Sequence, residues 1–148
     1  MNVTTTSIDI AADPETIFRF ASATERWPEY LPHYRFVRVL EDRGETRVVE
    51  MSAWRNWIPI AWVAEQRNDP SGPHIAFLHL RGWTRGMEVE WHFRPISGGT
   101  RVEIEHRLRF RFPIAAEWLG RHVVSDFFID FVAQRTLARM KVLAEAAC

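Results

Sequence analysis

The chain has one cysteine, Cys148, at its last position. A disulfide within the chain is therefore impossible, and a thiolate metal site is not expected. Lysine is as scarce: Lys141 is the only one, and arginine carries the rest of the positive charge. That bias reads as genome composition rather than function. Nineteen basic residues balance nineteen acidic ones, which argues against binding nucleic acid through an electropositive face. No stretch reaches the roughly 18 apolar residues of a membrane span, and no apolar run follows a charged segment at the N-terminus. Neither stable membrane insertion nor a secretory leader is expected, and the default location is the cytoplasm. Repeats, low-complexity tracts, Gly-rich phosphate loops and a Gly-x-Ser-x-Gly elbow are missing as well. The histidines show no His-x-His or His-x-x-x-His pair, and His74 and His79 would point to opposite faces of one strand. The expectation is no metal and no cofactor.

Aromatic rings are what the chain has in excess. Seven tryptophans and ten phenylalanines in 148 residues imply either an unusually aromatic core or a cavity lined with rings. The length suits one domain that can bury a sizeable core without staples.

Element signals are clear in most places. "NVTTTSIDIAA" alternates toward Ile8 and Ile10 and reads as a strand. In "ADPETIFRFAS", Asp13 is an N-cap candidate and Pro14 suits a first helical turn, so a short helix ends near Ser22. Thr24 is a candidate cap for a second short helix through "ERWPEYL", which Pro32 stops. Six strands follow from Tyr34 to Phe112. The last two have the plainest period of two: Met87, Val89, Trp91 and Phe93 face one way, as do Val102, Ile104, His106, Leu108 and Phe110. On the wet face Arg101, Arg107, Arg109 and Arg111 interleave with Glu103 and Glu105, and cross-strand pairing explains that row without a partner. After Pro113, Trp118, His122, Ser125, Ile129, Val132, Thr136, Met140 and Leu143 recur at spacings of three and four, one face of a long helix. The expected class is α+β: a curved antiparallel sheet wrapped around a long C-terminal helix, with two short helices after the first strand.

That helical stripe holds His122, Ser125 and Thr136 among apolar neighbours. Two readings compete. The polar groups face a cavity that needs a few oriented donors and acceptors, or Ser125 and Thr136 bond back to helix carbonyls and His122 pairs with Asp126.

Several stretches resemble one family. "IDIAADPETIFRFASATERWPEYLPHY", with Asp13-Pro14 at its first helix and Trp27-Pro28 at its second, is similar to the opening of polyketide cyclase/dehydrase proteins of the START-like (SRPBCC, helix-grip) superfamily. "WHFRPISGGTRVEIEH" resembles the family's penultimate hairpin, and "LARMKVLAEA" the end of its long helix. The likeness runs over almost the whole chain. It implies one START-like helix-grip domain over residues 1–148, with a deep, largely apolar cavity between helix and sheet. It also implies a hydrophobic ligand: polyketide, aromatic, lipid or quinone. Some members are aromatase/cyclases that guide ring closure and dehydration; others, similar to coenzyme Q-binding proteins, only carry a ligand. Fold alone does not choose.

Cyclisation and dehydration need a base, a donor for the enolate oxygen and an acid that expels water. His106 is the first candidate, lying between Ile104 and Leu108 on the apolar face; the competing reading is a core histidine bonded to a neighbour. Tyr34 corresponds to a position where some cyclases of the family place a cavity tyrosine, although a rim tyrosine that merely packs reads equally well. The residues expected to line the cavity are Trp62, Gln66, Trp83, Trp91, Ile104, His122, Ser125 and Ile129. The family's aromatase/cyclases tend to carry a cavity arginine on the strand equivalent to "WIPIAWVAEQR". Here alternation from Trp62 turns Gln66 inward and Arg67 outward, a departure that weighs against catalysis; Arg55 and Arg81 are other cationic options. Within "ERWPEYLPHY", Trp27 reads as a buried plug and Tyr30 and Tyr34 as the mouth of a site. Val124, Phe127, Phe128 and Phe131 lie off the stripe, where they either pack on the short helices or form a homodimer or carrier-protein contact. Three functions remain: a cofactor-independent cyclase/dehydratase, a non-catalytic lipid or quinone carrier, and an interaction module whose tryptophans fill the cavity.

Overall fold

The computed structural model of the chain describes residues 2–82, 84–108 and 131–147. Among the described residues, seven strands make one antiparallel sheet: β1 (Asn2–Ile10), β2 (Tyr34–Asp42), β3 (Thr46–Arg55), β4 (Ile58–Asp69), β5 (His74–Arg81), β6 (Glu88–Ile96) and β7 (Gly99–Leu108). Strands β2 to β7 follow one another as a meander, and β1 joins beside β7, giving the order β1-β7-β6-β5-β4-β3-β2. Asn56, with φ 55°, forms a corner of the two-residue turn between β3 and β4, a conformation asparagine tolerates better than most residues. Gly99 enters β7 against the end of β1. A Cβ there would stand 2.1 Å from the Ile10 carbonyl oxygen, so no larger residue fits.

The period-two pattern of the last hairpin decides which face is buried. Val89, Trp91, Phe93, Val102, Ile104, His106 and Leu108 are all buried on the inner side. Outside, Arg101 donates to Asp9 at 2.8 Å, Arg94 lies 3.2 Å from Glu103, and Arg107 meets Glu90 and Glu105. Arg109 and Arg111 lie outside the described residues.

Helix α1 (Pro14–Ser22) starts as its sequence suggests: Asp13 Oδ1 accepts from the Thr16 amide at 2.7 Å, and Ile17 and Ala21 face the core. The next segment differs from expectation. Residues Thr24–Arg26 wind as a 3₁₀ turn and run into α2 (Trp27–Tyr30), so Thr24 lies inside the turn and is not its cap. Its hydroxyl instead donates to Gln66 Oε1 at 2.6 Å. Pro28 sits in the first turn of α2, and Leu31 is already extended, as the residue before Pro32 must be.

Residues 131–133 form a π-helical turn that leads into α3 (Gln134–Ala146). The buried face of this helix runs through Val132, Ala133, Thr136, Leu137, Met140 and Ala144. Leu143, expected on the stripe, is only half-buried, because the step of four from Met140 to Ala144 matches the 3.6-residue turn and carries the stripe past it. Arg139 donates to the Tyr30 carbonyl and Lys141 to that of Asp9, while Glu145 accepts from the Ala11 amide. These bonds tie α3 to α2 and to the end of β1. Among the described residues no helix is long and apolar enough to cross a membrane.

Gln66 is the knot that positions the short helices. Its Nε2 donates to the Ser22 carbonyl and to Asn68 Oδ1, both at 2.9 Å, and its Oε1 accepts from Thr24 and from Arg47. Arg47 also bonds Thr24 and pairs with Glu25 at 2.7 Å. Gln66→Leu keeps similar bulk but strands the Thr24 hydroxyl, the Ser22 carbonyl and part of Arg47. A loss of about 3 kcal/mol is expected in urea unfolding; a loss near zero would mean that water replaces the amide freely.

Candidate functional site

Between the sheet and α3 lies a cavity whose empty space, open solvent at its mouth included, is about 420 Å3. Each strand from β2 to β7 contributes inward residues to its wall: Tyr34, Met51, Trp62, Phe77 with His79, Val89 with Trp91, and Ile104 with His106. Trp27 comes from α2, Thr136 from α3, and Val132 and Ala133 from the π-helical turn. π turns often mark functional positions because they re-aim the side chains on either side of them.

The wall is mainly aromatic. Trp27 lies 5.2 Å from Tyr34 and 5.9 Å from Trp91, and Tyr34 lies 6.2 Å from Trp62, all between ring centroids. The Trp62 indole stacks on His79 with 3° between planes. Trp62 and Trp91 thus stand in the wall, while Trp54 is 38% exposed and away from it. Trp27 is buried as a plug would be, and it also faces the cavity; its Nε1 donates to the Phe20 carbonyl. Tyr30 is not at a mouth. Its hydroxyl bonds the same carbonyl at 2.8 Å and clamps α2 to α1.

Polar groups interrupt the rings at a few points. On α3, Thr136 turns its hydroxyl toward His33 Nε2 at 3.0 Å and is hydrogen-bonded to the Tyr34 phenol. Across the cavity, His79 Nδ1 lies 2.7 Å from Thr84 Oγ1. His106 lines the wall nearby, and its buried Nδ1 has no hydrogen-bond partner among the described residues. Leaving such a nitrogen unpaired costs about 1–3 kcal/mol, which a ligand or a water in the cavity can recover.

Burial sets the protonation states. It pulls His106 down to about 4 and His79 down to about 3, with the neighbouring His106 adding to the effect. His33 falls to about 4 through burial and the nearby Arg135. Tyr34 moves the other way: burial raises its pKa, against a smaller lowering by the Thr136 hydrogen bond. At neutral pH the cavity therefore presents neutral imidazoles and a protonated phenol, a set that can accept and donate hydrogen bonds without a fixed charge.

Of the residues expected from sequence, His106, Tyr34, Trp62, Trp91 and Ile104 meet at this cavity. Gln66 faces inward and is fully buried, but it is not in the wall, because its four bonds hold it in the knot under α1. Trp83, His122, Ser125 and Ile129 lie outside the described residues, as do Val124, Phe127 and Phe128. Phe131 is partly buried against the core, with the Arg135 guanidinium 3.9 Å above its ring. His79 also stands in the wall, and His33 lies beside it through Thr136, although neither is among the residues expected there. The signal for His79 was present: Ile75, Phe77 and His79 share one face of β5 by alternation.

The family model for polyketide cyclase/dehydrase and lipid transport proteins matches residues 10–140. The chain belongs to that family. A curated relative, the granaticin polyketide synthase bifunctional cyclase/dehydratase of Streptomyces violaceoruber, is 29% identical over 141 residues. Those residues are 94% of this chain but 43% of the relative, so the chain spans less than half of that protein's length. Among solved structures, the Zhui aromatase/cyclase from Streptomyces sp. R1128 superposes with a TM-score of 0.84 at 17% identity, covering 97% of this chain and 93% of that one. A START superfamily protein from Mycobacterium smegmatis superposes with a TM-score of 0.72 at 14% identity, covering 95% of this chain and 98% of the other. The helix-grip fold follows from these likenesses.

Proposed function

We infer that the protein binds a poly-β-ketone or a similar polyketide-like molecule in its aromatic cavity and catalyses ring closure and dehydration there without a cofactor. The observation that supports this best is His106: a neutral imidazole in the cavity wall, with a buried nitrogen that no described group satisfies. Family membership and the granaticin relative's cyclase/dehydratase name support the same reading.

A methylene between two carbonyls loses its proton to a weak base, and neutral His106 is such a base. The enolate oxygen takes a hydrogen bond from the Tyr34 phenol, which burial keeps protonated. The enol carbon attacks a ketone carbon of the same chain, a C–C bond forms, and the new alkoxide receives a proton from the imidazolium. The apolar wall disfavours that imidazolium, so it is a strong acid. The imidazole then takes a second α-proton, the C–O bond breaks as a C=C bond forms, and the imidazolium returns its proton to the departing hydroxide, which leaves as water. The rings fold the chain and exclude solvent, which supplies the orientation that intramolecular attack requires.

The test is to incubate the protein with a short poly-β-ketone thioester and analyse the products by mass spectrometry. Faster formation of the dehydrated cyclic product than in buffer is expected. A chain that binds tightly and leaves unchanged would replace this reading with carriage of a lipid or quinone.

A further inference from the structure

On the outer face of the sheet, away from the cavity, a second group of titratable side chains comes together. His74, at the start of β5, pairs directly with His92 in β6, and their ring centroids are 5.3 Å apart. Glu90 precedes His92 by two residues and so shares its face. One ligand atom from each of the three lies within 4.8 Å of the other two. Glu90 Oε2 is already 3.5 Å from His92 Nε2. Zinc bound at roughly 2.0–2.1 Å in a tetrahedron separates its ligand atoms by roughly 3.3 Å. One edge of that tetrahedron is therefore nearly in place, and the half-buried His74 needs only a side-chain rotation to complete the others.

We propose that His74, Glu90 and His92 form a divalent metal site on the outer face of the sheet, selective for Zn2+ or a similar first-row ion over Mg2+ and Ca2+. Two imidazoles and one carboxylate suit the borderline-soft ions, and the hard ions prefer oxygen alone. Water takes the fourth position. Glu105, whose Oε2 is 3.6 Å from His92 Nε2, adds negative charge beside the site. Arg107 is the competing cation, since it now holds both Glu90 and Glu105; the ion takes Glu90 from it and leaves it Glu105. The site's place suggests its role. Strands β5 and β6 share five paired residues, against ten between β3 and β4, so an ion bridging His74 to His92 fastens the shortest join in the sheet. The sequence gives no warning of this group, because only the antiparallel register brings β5 and β6 residues into one cluster.

The experiment uses the full chain with Cys148→Ser, so that the terminal thiol cannot bind, stripped of metal and titrated with Zn2+ against a chromophoric chelator. One ion per chain is expected, with a rise in thermal midpoint as Zn2+ is added. His74→Ala and His92→Ala should each weaken binding by about tenfold or more, and Arg107→Ala should tighten it several-fold. Glu90→Gln, which keeps the side chain's shape, should also weaken binding and guards against a histidine variant that loosens β5. Co2+ in place of Zn2+ should give the visible absorption of a four-coordinate ion. Absence of binding with Zn2+ in the micromolar range overturns the proposal. So does binding that the two histidine variants leave within about twofold.

Discussion

Replacing His106 by alanine is expected to lower turnover of a poly-β-ketone substrate by about a hundredfold or more while leaving ligand affinity nearly unchanged. The split follows from what the residue contributes. Affinity is expected to come mainly from the rings of Trp27, Trp62, Phe77 and Trp91, which His106→Ala leaves in place. Proton transfer has fewer providers. Tyr34 cannot act as the base, because burial raises its pKa far from neutrality, and Thr136 has an alcohol in place of an imidazole. His79 is the neighbour that can share the work, but burial and His106 hold it down to about 3, so it is the weaker acceptor. His106→Gln sharpens the test, since it fills the space and still hydrogen-bonds but cannot carry a proton. Quenching of the wall tryptophans gives the dissociation constant, and product formation under single-turnover conditions gives the rate. If both variants turn over as the wild type does, His106 is a core histidine and the proposed chemistry loses its base. If both lose affinity and rate together, the ring binds substrate without taking part in the reaction.

The fold was legible because its signals are local. Asp13-Pro14 marks a helix start, and the alternation from Met87 to Phe93 and from Val102 to Leu108 fixes which face of the last hairpin is wet. His106 could be found for the same reason, as a titratable residue on an apolar face. Other parts of the site depend on pairings between distant residues. Gln66 was correctly turned inward by alternation, yet nothing local shows that Thr24, Ser22 and Arg47 occupy all its bonds and keep it from the cavity. Thr24 has the composition of a cap and is claimed by Gln66 instead. Thr136 could be read as bonding its own helix, and its partner His33 lies 103 residues earlier in the chain. His79 follows from the rule that locates His106, since alternation puts it on the inner face of β5 with Ile75 and Phe77 and leaves His74 on the outer one.

Acid is expected to unfold this protein earlier than its carboxylates alone would allow. Histidines in an unfolded chain titrate near 6.5, whereas His79 is held down to about 3 and His33 and His106 to about 4. Between those values the unfolded state binds protons that the native state refuses, so stability falls as pH falls. The loss begins near pH 6.5, continues to about 4 for His33 and His106, and reaches about 3 for His79. About a unit or more above pH 6.5 these three rings contribute little slope. At roughly 1.4 kcal/mol per pKa unit, His106 accounts for on the order of 3 kcal/mol and His79 for on the order of 5 kcal/mol across that window. A domain stable by about 5–15 kcal/mol would lose much of its margin. Urea midpoints measured from pH 8 to pH 4 should be flat at first and then decline with a slope approaching three protons. His106→Leu should remove one proton from that slope and raise stability at pH 5 relative to the wild type, since leucine accepts no proton and leaves no ring nitrogen unpaired. A midpoint that stays level from pH 7 to pH 5 would mean that the rings are charged or solvated in the native state, which would also remove the neutral imidazole on which the proposed chemistry depends.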